Sequence, residues 1–400
     1  MKKTLCLLAV SLLITASAFG DAADIYFDNA HQCQNSGDLD GALTNYNKVI
    51  ELNPGFALAY VNRGLVKRAK GDVDGALADF TQAIQFKPGF FGAYYSRGGL
   101  RQDKGDLDGA LADYTKVIEL NPSLAQAYDE RGHLKHIKRD LDGALADFNK
   151  AIELNPKLAN AYDNRGAVKK ATGDLDGALS DFNKAIELSP NLANAYRDRA
   201  SARETKRDLE GALADYTKLI ELEPNLAQAY DNRGHLKYVK RDLEGALTDL
   251  NKAIELNPKL ANAYRDRASI REAKRDLEGA LADYTKLIEL KPNDVPAYNN
   301  RGLAKKAKGD LEGALTDFNK VIELKLDLGE VYLNRGLTKF AKGDLDGALA
   351  DYTKAIELKP NLAQAYDKRS IAKKTKGDLA GAQADYDKAA ELKSRETHAR

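Results

Sequence analysis

Apolar and polar positions along this chain follow a repeating pair of helical patterns. In residues 159–192, Ala159, Tyr162, Gly166 and Ala167 fall at three- and four-residue steps, the period of one helix face. Gly173 predicts a stop, because glycine enters the left-handed conformation without steric cost. Asp174 follows as a cap that accepts the free N–H groups of a second helix. Leu175, Ala178, Leu179, Phe182, Ala185 and Ile186 form that helix's apolar stripe. Pro190 then ends it. The pattern predicts a hairpin of two short helices, and no stretch of the chain reads as a strand.

The hairpin returns every 34 residues. The segment beginning at Gly37 recurs at Gly71, Gly105, Arg139, Gly173, Arg207, Arg241, Arg275, Gly309, Gly343 and Gly377, eleven copies without an insertion or deletion. Nine of the ten prolines share one phase, from Pro54 to Pro360. A globular enzyme would not keep this register, because its loops vary in length. The period predicts a solenoid. Residues 193–226 and 261–294 agree at 30 of 34 positions, as duplication of whole units would leave them.

These residues carry a resemblance. Tyr162, Gly166, Ala178, Phe182, Ala185 and Pro190 match the large and small packing positions of the tetratricopeptide repeat, and Tyr holds the first position in all eleven units, Tyr26 to Tyr366. The chain resembles a tetratricopeptide repeat array over residues 23–393. That resemblance implies an all-α fold, a right-handed superhelical solenoid of tandem helical hairpins whose first helices line a concave groove. Two positions depart from the family pattern. An Arg, such as Arg63 or Arg165, replaces the apolar residue before the first Gly. Three residues after that Gly, a Lys or Arg, such as Lys67 or Lys169, replaces a common aromatic.

The first departure has an internal explanation. Ten units carry this Arg, and the same ten carry an Asp on the second helix, Asp181 in the sample unit. The first unit has Asn29 and Asn45 instead. Covariation within one chain points to an Arg–Asp contact inside each hairpin rather than to two separately solvated charges. Glu and Lys at helical spacing elsewhere read as a solvated, helix-supporting face. The last unit carries Gln383 and Ala390 where others have Leu and Ile, removing apolar surface from a helix without a successor. Residues 21–393 are therefore expected to form the solenoid, and 394–400 a frayed tail.

Residues 1–20 read differently. Lys2 and Lys3, an apolar run from Leu5 to Ile14 and small residues at Ala16-Ser17-Ala18 or Ala18-Phe19-Gly20 form the pattern of a secretory signal. The run is shorter than the ~20 residues of a spanning helix. The expectation is export, to the periplasm or the extracellular space, with cleavage and no integral membrane segment in the mature chain. Cys6 leaves with the signal and Cys33 remains as a lone thiol.

Composition narrows the function. Sixty-one Lys and Arg against 60 Asp and Glu give a net charge of +1, or −1 once Lys2 and Lys3 are removed. No global field gathers nucleic acid, and no basic stripe emerges within the units. Two cysteines make neither a disulfide framework nor a four-thiolate zinc site. The glycines are helix stops and packing positions, not a phosphate-cradling loop. Carboxylates are periodic, so no pair stands out for acid/base work. His133 and His136 share a helix at i, i+3 and could share a metal, but no third ligand is unique to their unit. No catalytic residue, metal or cofactor is expected.

The groove implied by the resemblance grades from apolar to polar and back. Leu58, Val61, Leu65 and Tyr95 lie near the start. Asp129, Glu130, His133, His136, Lys170, Arg197, Asp198, Asp231, His235, Tyr238, Arg265 and Asp266 occupy the middle, and Leu333, Leu337 and Phe340 lie toward the end. In the unit of these last three, Leu326 replaces the usual proline. The Lys and Asn positions of the family's carboxylate clamp are not matched: the Asn position holds Leu65, Gly99, His133, Ala167 and Ser201 in turn. The expected function is a non-enzymatic scaffold binding protein or peptide segments in the groove, with Leu333, Leu337 and Phe340 as an exposed anchor. The alternative is a glycan-binding or envelope-assembly accessory protein. The sequence leaves homo-oligomerisation open.

Overall fold

The computed structural model of the protein describes residues 21–324 and 328–398. The expected signal, residues 1–20, and Leu326 lie outside the described residues. Among the described residues there are 22 helices and no strand. The chain divides into two compact units, residues 1–195 and 196–400.

The first unit contains α1 (Asp21–Ser36), α2 (Leu39–Leu52), α3 (Ala57–Ala69), α4 (Val73–Phe86), α5 (Phe91–Asp103), α6 (Leu107–Leu120), α7 (Ala125–Ile137), α8 (Leu141–Leu154), α9 (Ala159–Ala171) and α10 (Leu175–Leu188). Helix α11 (Ala193–Thr205) spans the division. The second unit continues with α12 (Leu209–Leu222), α13 (Ala227–Val239), α14 (Leu243–Leu256), α15 (Ala261–Ala273), α16 (Leu277–Leu290), α17 (Val295–Ala307), α18 (Leu311–Glu323), α19 (Gly329–Ala341), α20 (Leu345–Leu358), α21 (Ala363–Thr375) and α22 (Leu379–His398). Odd-numbered helices are the first, and even-numbered the second, of each hairpin. The tail expected to fray from residue 394 continues α22 as far as His398, because nothing in its sequence breaks the helix.

The hairpin turn forms as its residues dictate. Gly173 sits at φ 90°, and Asp174 accepts the N–H of Gly177 at 2.9 Å, capping α10. Where Arg replaces Gly, the left-handed turn persists: Arg139, Arg207, Arg241 and Arg275 lie at φ 61–68°. Between the helices, Gly166 permits a close approach. A Cβ there would stand 2.7 Å from the ring of Phe182, which is fully buried.

Within each unit the core is a series of small clusters joining one hairpin to the next. In the first unit, Leu134 of α7 packs on Ala110 and Tyr114 of α6, and Val168 of α9 on Ala144 and Phe148 of α8. In the second, Ala263 and Ile270 of α15 pack on Ala246, Leu250 and Ala253 of α14. A unit of this kind cannot bury its apolar face alone, so each stabilises its neighbour.

The expected Arg–Asp contact is present in ten hairpins. Arg165 donates from Nε to Asp181 Oδ2 at 2.9 Å and from Nη2 to Oδ1 at 2.6 Å, a bidentate pair. Its guanidinium lies 5.5 Å from the Tyr162 ring centroid. The second departure belongs to the same cluster. Lys169 reaches Asp181 Oδ2 at 2.8 Å, so two cations hold one buried carboxylate. In the first hairpin Asn45 instead donates to Gly41 O at 2.8 Å, and Cys33 stands at the position of that Lys. At the C-terminal end Gln383 and Ala390 are exposed, as a terminal helix requires.

Candidate functional site

Side-chain bonds place successive first helices side by side within each unit. In the first unit, Asn62 lies 3.1 Å from His31, Arg68 pairs with Asp103 at 2.6 Å, and Asn164 donates to Asp129 at 2.9 Å. In the second, His235 Nδ1 donates to Asp266 Oδ2 at 2.7 Å, and Asn334 donates to Asn299 at 3.4 Å. Each of these residues projects from the first-helix face. That face is the surface on which the candidate residues were expected.

Its apolar ends differ from the expectation. Val61 is 6% exposed, in a cluster with Phe80 and Leu100. Leu333 is 3% exposed, packed with Tyr352, Ala365 and Ala372. Both are core, because a first helix is covered by its own second helix and by the following first helix. Leu58 is half-buried, Leu65 packs at the edge of the Val61 cluster, and Leu337 and Phe340 at the edge of the Leu333 cluster. Tyr95 stacks edge-on against Tyr114 with ring centroids 5.5 Å apart. These five leave less free apolar surface than their sequence pattern suggests.

The polar centre carries the stronger geometry. In the first unit Asp129 is buried and His133 half-buried. Burial pushes the Asp129 carboxyl up to about 6 against the opposing hydrogen bond from Asn164. In the second unit Arg197 is exposed and pairs with Asp198 at 3.1 Å, and Tyr238 packs beside Leu250. Asp231, His235 and Arg265 come together in a pocket of about 240 Å³, completed by Glu204, Asn232, Asn262 and Asp266. Arg265 pairs with Asp294 at 2.5 Å and donates to Asn262 at 3.2 Å. Glu204 accepts from the Tyr216 hydroxyl. Burial raises the Asp231 carboxyl above its ordinary range, and the bond to Asp266 raises His235.

The expected list omitted Glu204, Asn232 and Asn262. Glu204 occupies the same phase as His136, Lys170 and Tyr238, so the period itself could have pointed to it. Asn262 had no such signal. Among the described residues no three His, Cys, Asp or Glu side chains are grouped as a metal site requires. No helix among them is long and apolar enough to cross a membrane.

Models of the tetratricopeptide repeat match residues 57–90, 91–124, 159–192, 232–295, 295–328 and 329–362, and a further model described as TPR repeat matches 33–71 and 132–173. Together they cover more than half of the chain. The chain belongs to the tetratricopeptide repeat family. Members of the family bind peptides or proteins and are typically protein–protein interaction scaffolds without catalytic activity. No curated protein matches the chain. Solved structures with a similar repeat include a tetratricopeptide repeat protein from Parabacteroides merdae, 24% identical, covering 60% of this chain and 94% of its own, TM-score 0.49. YrrB, described as a TPR protein with an unusual peptide-binding site, is 25% identical over 46% of this chain and 95% of its own, TM-score 0.39. Yeast Tom70 is 19% identical over 92% of both chains, TM-score 0.35.

Proposed function

We propose that this tetratricopeptide repeat protein is a non-enzymatic scaffold that holds segments of partner proteins on its first-helix face. The observation that carries the reading is the side-by-side packing of successive first helices within each unit. It sets a row of half-exposed polar and aromatic side chains at a regular spacing, suited to reading an extended segment. The signal-like residues 1–20 support action outside the cytoplasm, and N-terminal sequencing of the exported chain tests that part: a start after residue 18 or 20 agrees with it.

Binding is tested on an array of random twelve-residue peptides. Leu58→Ser with Phe340→Ser should weaken captured peptides at least tenfold, about 1.4 kcal/mol. Lys116→Ala with Lys184→Ala, on exposed second-helix positions, should leave capture unchanged. Equal loss in both sets, or an array without binders, would sink the scaffold reading.

A further inference from the structure

The pocket at Asp231 holds a hydrogen-bonding vacancy that its own repeat pattern explains. Along the first-helix face, a residue and the one 35 positions later meet across neighbouring helices. Asn164 donates to Asp129 in this way, and Asn334 to Asn299. Asp231 stands at the same phase as Asp129 and Asn299, and its counterpart is Asp266. A carboxylate cannot donate to a carboxylate. Asp231 is 4% exposed; Gln228 Nε2 donates to its Oδ2 at 3.0 Å, while its Oδ1 is buried without a hydrogen-bond partner. Native proteins rarely leave a buried polar atom so, because the group loses water and gains nothing in return.

The surroundings define what would complete it. Glu204, Asp231, Asp266 and Arg265 line one pocket, and Arg265 donates to Asp294 at 2.5 Å and to Asn262 at 3.2 Å. His235 is bound to Asp266. Three carboxylates against one guanidinium and one imidazole leave the pocket with an excess of acceptors. At about 240 Å³ the cavity falls below the roughly 300–1,000 Å³ of small-molecule sites, a size for one side chain. A carboxylate turns readily about its terminal torsion, so either oxygen of Asp231 can face the entrant.

We infer that this pocket receives one cationic side chain, the guanidinium of arginine or the ammonium of lysine, from the bound partner segment. This deepens the scaffold reading and rests on it: the row of first helices holds the segment, and the pocket fixes its register. A bound cation supplies the donor that Asn164 supplies to Asp129, and restores the charged form of Asp231 that burial disfavours.

The test uses the full chain with 15N-labelled histidine, titrated with N-acetyl-arginine amide and, separately, its neutral isostere N-acetyl-citrulline amide. A saturable shift of the His235 ring resonances with the arginine compound, at least tenfold weaker with citrulline and in Asp231→Asn, supports the pocket. Glu204→Gln, which removes a pocket carboxylate but keeps both partners of the His235–Asp266 bond, should weaken it in the same direction. No shift, an equal shift with citrulline, or a shift retained in Asp231→Asn overturns the inference, whatever the peptide array shows. An array without binders overturns the scaffold reading, whatever the pocket does. Array binders lacking a fixed Lys or Arg position, or keeping it in Asp231→Asn, overturn the pocket alone.

Discussion

Arg165 Nη1 donates to Asn149 Oδ1 at 2.8 Å, reaching out of its own hairpin to the second helix of the preceding one. The same guanidinium grips Asp181 with its other two nitrogens, so one side chain closes a hairpin and docks it on its neighbour. The connection recurs with Asn or Thr as acceptor, from Arg63 and Asn47 to Arg369 and Thr353. Because Arg165 bridges three helices, truncating it should cost more than truncating Asn149. A double-mutant cycle of Arg165→Ala and Asn149→Ala should show a coupling of about 1 kcal/mol. Additive losses in urea unfolding would show that the bond does not tie the hairpins.

Asp181 faces two cations, and its removal leaves both without their acceptor. Loss of one partner of a fully buried pair costs roughly 3–5 kcal/mol. Arg165 and Lys169 are 18% and 24% exposed, so water tempers the penalty and Asp181→Ala should cost about 2–3 kcal/mol. The triple change of Asp181, Arg165 and Lys169 to Leu should be milder than that single change. A triple variant less stable than Asp181→Ala would contradict this account.

The left-handed arginines are a stability reserve. Arg207 sits at φ 61° and is exposed, in a conformation that is costly for a residue with a Cβ. Arg207→Gly should raise stability by about 1 kcal/mol, and the converse Gly173→Arg should lower it by a similar amount. Denaturant midpoints of the two variants, moving in opposite directions, check the pair.

Asp129 gives the first unit a pH dependence. Folding keeps its carboxyl neutral up to about pH 6, while the unfolded chain ionises it from about pH 4. Its contribution is therefore most favourable below pH 4, declines between pH 4 and 6, and is flat above. Asp129→Asn should remove that decline, a gain on the order of 2–3 kcal/mol at pH 7 relative to pH 4. Urea unfolding of both proteins at pH 4, 5 and 7 measures it, and parallel profiles would contradict the assignment.

Removing whole periods should preserve the fold. Deleting residues 125–158, which carry α7 and α8, should leave a shorter array with proportionally less helix. Deleting 17 residues there should not, since first and second helices would exchange places. Circular dichroism and thermal unfolding separate the outcomes, and collapse after the 34-residue deletion would count against independent units.

Much of this architecture was legible because punctuation and packing residues repeat in phase. Gly173, Asp174 and Pro190 mark helix ends by their own conformational chemistry, and the joint absence of Arg and Asp from the first hairpin disclosed the Arg165–Asp181 pair. Lys169 was visible only as a departure from the family pattern, since its role depends on where Asp181 lies in space. Leu333 was misread for a related reason. Spacing shows that Leu333, Leu337 and Phe340 share a face, but a helix sandwiched between neighbours buries part of more than one face. The Asp231 pocket draws on three helices, and its decisive clash of acceptors, Asp231 with Asp266, emerges only when positions 35 apart are known to meet.

One consequence of the clustered core concerns how the chain acquires its structure. Among the described residues of each unit, helices in substantial contact are at most two elements apart in sequence, so forming such a contact closes only a short loop. Chains dominated by such local contacts fold quickly, and a stacked array can nucleate at any hairpin and spread outward. Each hairpin of the first unit after α1–α2 has a docking partner already synthesised when it emerges from the ribosome, and assembly can keep pace with translation from the N-terminal end.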